Sequence, residues 1–145
     1  MRIACLALVI ASTTLPGCER TEAKLYPTHI ESPDYDRTAQ LAHIEGEVDV
    51  VATIDSAGNV IDAKAKGPPM LASHALKNIL QWKFERPRHA PSEQTVVYDF
   101  RLEEPGECDF LPAKVSFDLP GRVDIVAQGV HTCDPATAVS QIKNR

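Results

Sequence analysis

The sequence predicts an α+β fold: a small antiparallel sheet packed on a helix, with a C-terminal disulfide-linked β-hairpin as an extension. Three observations carry this. Residues 48–65 alternate apolar and polar about a central turn, the period switches toward 3.6 after Gly67-Pro68-Pro69, and residues 95–102 alternate again.

In the first stretch Val48, Val50, Ala52 and Ile54 share one face, while Glu47, Asp49, Thr53 and Asp55 share the other; Val51 is the one mismatch. Ser56-Ala57-Gly58-Asn59 supplies the turn, because Gly58 and Asn59 best tolerate positive φ. A return strand then continues the apolar face with Ile61, Ala63 and Ala65 and points Asp62, Lys64 and Lys66 to solvent. Two prolines end it by removing ladder donors and fixing φ. A helix follows from Met70, with Leu71, Ala75, Leu76, Ile79, Leu80 and Trp82 as its packing stripe and Ser73, Lys77, Asn78, Gln81 and Lys83 on the remaining face. Trp82 and Phe84 read as core residues closing that helix, with an exposed recognition surface as the alternative. After a polar loop at 88–93, Val96, Tyr98, Phe100 and Leu102 alternate with Thr95, Val97, Asp99 and Arg101. This third strand is expected to run antiparallel, completing a sheet covered by helix on one face.

These motifs together resemble the C-terminal domain of the TonB family over about seventy residues. The resemblance rests on Tyr35, on Ala39 in a short helix, and on Gly46-Glu47-Val48 before the first strand. It continues with Asp55-Ser56-Ala57-Gly58-Asn59-Val60 at the hairpin, Ala75-Leu76 in the helix and Trp82-Lys83-Phe84 at its end. The chain departs from the family pattern where Asp36 follows Tyr35 in place of proline, and where both Glu85 and Arg86 separate Phe84 from Pro87. The resemblance implies a partner-binding module. Its partner-pairing edge corresponds to the third strand, so Thr95, Val97, Asp99 and Arg101 are the expected partner-binding residues, taking an extended segment of an envelope protein, such as a TonB-dependent receptor or transport component, as an added strand.

The flanks set the location. Arg2 gives a positive start, residues 3–11 are an apolar run too short to span a bilayer, and Leu15-Pro16-Gly17-Cys18 resembles a bacterial lipobox. Residues 1–17 therefore read as a lipoprotein signal peptide, Cys18 as the lipidated residue, 18–32 as a lipid-proximal tether, 33–102 as the domain and 103–145 as the bridged extension. An ordinary cleaved signal or a short membrane anchor is the alternative reading of this start. Several acyl chains at about 0.8 kcal/mol per buried CH₂ would hold the protein on a membrane. With Cys5 in the signal and Cys18 lipidated, Cys108 and Cys133 remain as a pair for a disulfide in an oxidising periplasm. A metal site built on them with His89 or His131 lacks close ligand spacing. Within the extension, short strands near 115–117 and 123–126 flank Leu119-Pro120-Gly121 as a second hairpin, which either extends the sheet or covers its edge.

Several function classes are disfavoured. The formal charge is −5, or −6 once Arg2 leaves with the signal, and no basic cluster stands out, so nucleic acid is not an expected partner. His29, His43, His74, His89 and His131 are scattered, and no nucleophile elbow, phosphate loop or framed pair of carboxylates occurs. No enzyme, metal or cofactor is expected; a pocket joining His89, His131 and acidic groups would be needed to revive an enzyme. A short tether without a motor-facing transmembrane helix or a long Pro-rich spacer argues against energy transduction. The leading reading is a membrane-tethered periplasmic binding module; the alternatives are a structural envelope lipoprotein whose sheet edge is closed and an accessory component of TonB-dependent transport.

Overall fold

The computed structural model describes residues 24–104 and 112–130. Cys18, Cys108, Cys133 and His131 lie outside the described residues, and with them the expected lipidation site, the expected disulfide and the metal alternative. In chain order the elements are β1 (Pro27–His29), α1 (Arg37–Leu41), β2 (Gly46–Ile54), β3 (Val60–Lys66), α2 (Pro69–Ile79), β4 (Lys83–Phe84), β5 (Ser92–Glu103), β6 (Lys114–Asp118) and β7 (Arg122–Gln128). This is the α+β arrangement the residue pattern predicts. The main sheet has the order β3-β2-β5-β7-β6, and a small second sheet pairs β1 with β4.

The β2–β3 hairpin and the antiparallel β2–β5 pair follow the expected alternation, with Val48, Val50, Ala52 and Ile54 of β2 and Val96, Tyr98 and Phe100 of β5 buried on one face. The turn closes on the Asp55 carboxylate, which accepts from the backbone N–H groups of Ala57 and Asn59 at 2.8 and 2.9 Å. These bonds, Asn59 first, hold the Asp55 pKa below its ordinary value. Gly58 sits at φ +89°, and a Cβ there would fall against the Phe84 carbonyl oxygen. The Phe84 N–H donates to the Gly58 carbonyl at 2.8 Å, so the hairpin tip is fastened to β4 through a close approach that only glycine allows.

One expected core residue lies elsewhere. Ile61 is 58% exposed, because a register shift near Ile54 and Val60 puts Val60 opposite Ile54 and turns Ile61 out of the apolar row. Ala63 and Ala65 keep their places against the core.

Helix α2 starts with proline in its first turn, where the missing N–H costs nothing, and packs Leu71, Ala75 and Ile79 against β2 and β3. Trp82 and Phe84 are buried, as the core reading of both requires. Two assignments on this helix are corrected. Leu80 is exposed, and Asn78, expected on the polar face, is buried. Its amide explains the burial: Nδ2 donates to the Glu31 carbonyl at 2.9 Å, and Oδ1 accepts from the Tyr98 hydroxyl at 2.9 Å. The Trp82 Nε1 donates to the same Glu31 carbonyl at 3.0 Å, so each buried polar group here has a partner. Burial pushes the Tyr98 pKa upward.

The helix α1 forms where the chain departs from the family pattern, because Asp36 is itself a good cap. Its carboxylate accepts the Ala39 N–H at 2.9 Å and meets His74 Nε2 of α2 at 3.1 Å. Ala39 is fully buried, and Tyr35 packs edge-on against Phe100 at 5.3 Å while its hydroxyl donates to the Ile44 carbonyl at 2.8 Å. Desolvation first, then the nearby Glu45 charge, push the Tyr35 pKa up to about 12.

The segment read as a tether is held on the domain from Leu25 onward. Leu25 is buried and its N–H donates to Gln94 Oε1 at 3.0 Å, and Pro27–His29 adds to β4. The cause is the edge of β4 and the Asn78 and Trp82 donors, which need acceptors that this segment supplies.

Candidate functional site

The expected partner-binding residues stand on β5. Its alternation puts Val96, Tyr98 and Phe100 in the core and Thr95, Val97, Asp99 and Arg101 on the opposite face. The buried residues of α1 and α2 join the same core cluster, and among the described residues no helix lies on the opposite face of the sheet.

The ladder registers arrange this open face in rows. Lys66, Asp49, Val97, Arg122 and Asp118 lie side by side across β3, β2, β5, β7 and β6. Glu47, Asp99, Asp124 and Ser116 form the next row. Between the rows runs a charge lattice. The Arg122 guanidinium reaches Asp99 at 2.6 Å, Glu47 at 3.0 Å and Asp124 at 3.1 Å, while Arg101 reaches Asp124 at 3.0 Å and Asp99 at 3.2 Å. Hydrogen bonding to Asp124 and then Glu47 holds the Arg122 pKa above its ordinary value. Asp99 is buried beneath the two guanidiniums, whereas Thr95 and Arg101 are exposed and Val97 is half-buried. Ion pairs this close to water are individually weak, so the lattice fixes side-chain positions more than it stabilises the fold. Chemically it is a preorganised polar surface.

From Val97 onward the outer edge of β5 is not free, so the expected open pairing edge is occupied at Val97, Asp99 and Arg101, while Thr95 precedes the paired stretch. From Val97 to Glu103 it pairs in parallel with β7, and the Val97 N–H donates to the Gly121 carbonyl at 2.9 Å. Of the two outcomes open for the second hairpin, the sheet is extended by it. The physical reason is burial: Val123, Ile125 and Ala127 project into the core beside Tyr98, Phe100 and Leu102. The trace of this in the sequence is the alternation Val123-x-Ile125-x-Ala127. On the other side the β2 ladder ends at Phe100 opposite Gly46, and the next outward donor, the Leu102 N–H, is taken by the Glu45 carboxylate.

Among the histidines, His74 is engaged by Asp36, and His43 sits at φ 50° just after α1. Among the described residues no helix is long and apolar enough to cross a membrane.

No curated protein matches this chain. Among solved structures, the solution NMR structure of the Pseudomonas aeruginosa TonB CTD is similar, at 26% identity over 55% of this chain and 88% of that chain, with a TM-score of 0.41. The model of the family described as Gram-negative bacterial TonB protein C-terminal matches residues 31–102, which span α1, β2, β3, α2, β4 and all but the last residue of β5. Through residues 31–102 this chain therefore belongs to the TonB C-terminal family, and β6 and β7 are strands that it carries beyond the matched segment.

Proposed function

We propose that this chain is a membrane-tethered periplasmic protein-binding module that contacts an envelope or transport protein through the open face of its sheet. TonB C-terminal domains are protein-interaction modules of the Gram-negative periplasm. The observation that carries the proposal is the filled edge of β5 beside a face that no helix covers among the described residues. Strand addition along residues 97–103 would require β7 to leave, exposing three core side chains, whereas Thr95, Val97, Asp99 and Arg101 already present a fixed polar surface with Glu47, Arg122 and Asp124. The partner in this reading is a TonB-dependent receptor or another component of envelope transport, and lipid on Cys18 keeps the module at the membrane.

A photocrosslinking residue at Thr95, an exposed position, tests this in intact cells. The expected result is one defined envelope protein captured from wild type and lost on Arg101→Glu, with the fold unchanged. Absence of any adduct from the open face would overturn the proposal. The closed edge also favours a second reading, a structural envelope lipoprotein, which predicts diffuse adducts with many envelope components in place of one.

A further inference from the structure

We propose that β6 is a self-pairing edge, through which two copies of this chain join antiparallel about Ser116 to merge their two sheets into one. Among the described residues β6 is the outermost strand of its side of the sheet and pairs only with β7, so its outward N–H and C=O groups have no ladder partner. Such a row is a template for another strand unless something blunts it.

The strand reads Lys114-Val115-Ser116-Phe117-Asp118. A base stands at one end, an acid at the other, apolar residues at the second and fourth positions, and serine at the centre. Laid antiparallel on its own copy with the two-fold axis at Ser116, the strand is complementary to itself. Lys114 faces the partner's Asp118, Val115 faces the partner's Phe117, and the two serines face each other.

The faces agree as well as the order. Register with β7 puts Lys114, Ser116 and Asp118 opposite Val126, Asp124 and Arg122 on the open face, and Val115 and Phe117 opposite Ile125 and Val123 on the core side. The two Lys–Asp contacts therefore form on the wet side and the two Val–Phe contacts on the apolar side, with no charge pressed against an apolar group. Phe117 leans on Trp82 at 6.1 Å between ring centroids yet stays 38% exposed, and the partner's Val115 would cover it. The opposite edge of the sheet does not offer the same. There β3 carries Lys64, Lys66 and a register shift, devices that blunt an edge.

Sedimentation velocity of the purified full-length chain over a concentration series tests the pairing. Wild type is expected to pass reversibly from monomer to dimer. Lys114→Glu sets like charges opposite each other at two symmetry-related places and should weaken association about tenfold, and Asp118→Lys should do the same. Combining the two substitutions restores opposite charges at both places and should restore association. Loss of the exposed Lys114–Glu103 contact at 3.4 Å cannot mimic this, because the double variant lacks it too. A chain that stays monomeric at every concentration, as when a segment of its own covers β6, would overturn the proposal. So would a dimer indifferent to Lys114→Glu, or a double variant no better than the single ones.

Discussion

Truncating Ile125 to alanine is expected to destabilise the whole domain by about 3 to 4 kcal/mol. Ile125 is fully buried in β7, with Phe100 beside it on one strand and Val115 on the other. The substitution deletes three carbons from the core, about 2.4 kcal/mol at roughly 0.8 kcal/mol each. Incomplete collapse of the space left behind adds on the order of 1 kcal/mol, within the range of about 2–5 for such changes. Trp82 is the only tryptophan, is buried, and touches Tyr98 and Phe117, so its fluorescence reports the core and the hairpin in one signal. In urea, with a slope of about 2 kcal/mol/M, the midpoint should fall by about 1.5–2 M in a single transition. Ile61→Ala serves as the matched control: at 58% exposure on the bulge it should cost under about 0.5 kcal/mol. A loss below about 1 kcal/mol for Ile125→Ala, or a separate early transition of the hairpin, would refute the reasoning. The hairpin would then be a loosely docked strand, and pairing of a partner along Val97, Asp99 and Arg101 would return as the mode of binding.

Gly58→Ala should destabilise by at least about 2 kcal/mol by thermal melting, since it combines a left-handed φ with a collision against the Phe84 carbonyl. Tyr98→Phe leaves the buried Asn78 Oδ1 without its donor and should cost about 1–3 kcal/mol by denaturant titration. The Asp36 pKa is lowered, first by the Ala39 N–H and further by His74, so its charge stabilises the fold above the ordinary value of 3.8, and that contribution is lost as pH falls through the lower folded-state value. Asp36→Asn keeps the cap but not the charge. The stability gap between it and wild type should therefore shrink on acidification below about pH 5, and a gap constant with pH would contradict this. Cys18→Ala should abolish acyl labelling and release the protein from the membrane fraction; retention without acylation would sink the lipid tether.

Much of the fold was legible because β2, β5 and α2 are each half-buried, and half-burial writes its period into residue type. Val48, Val50, Ala52, Ile54, Val96, Tyr98 and Phe100 all lie on the predicted face. Where geometry departs from an ideal period, residue type misleads: the bulge before Ile61 shifts the row without changing any side chain. Asn78 is polar by type and buried by partnership, which becomes visible only when Tyr98 and Glu31 arrive from far along the chain. The β1–β4 pair is too short to leave a period at all. For the candidate site, alternation placed Thr95, Val97, Asp99 and Arg101 on a common face but was silent about the edge. Edge occupancy is decided by backbone groups, and the neighbour that takes them begins some twenty residues beyond the strand.

The parallel pairing of β7 with β5 also makes the placement of β6 depend on β7. The chain makes β6 before β7, yet β6 lies outside β7 and has nothing to pair with among the described residues until β7 exists. β6 therefore joins the sheet only through β7, either as a hairpin closed beforehand or after β7 has docked on β5. Until Gln128 has been made, the finished strands β2, β3 and β5 carry a bare edge and a core lacking Val123, Ile125 and Ala127. A nascent or truncated chain stopping short of Arg122 is the species most open to misplaced strand pairing. Among the described strands β7 is thus the one whose docking both closes the β5 edge and completes the core.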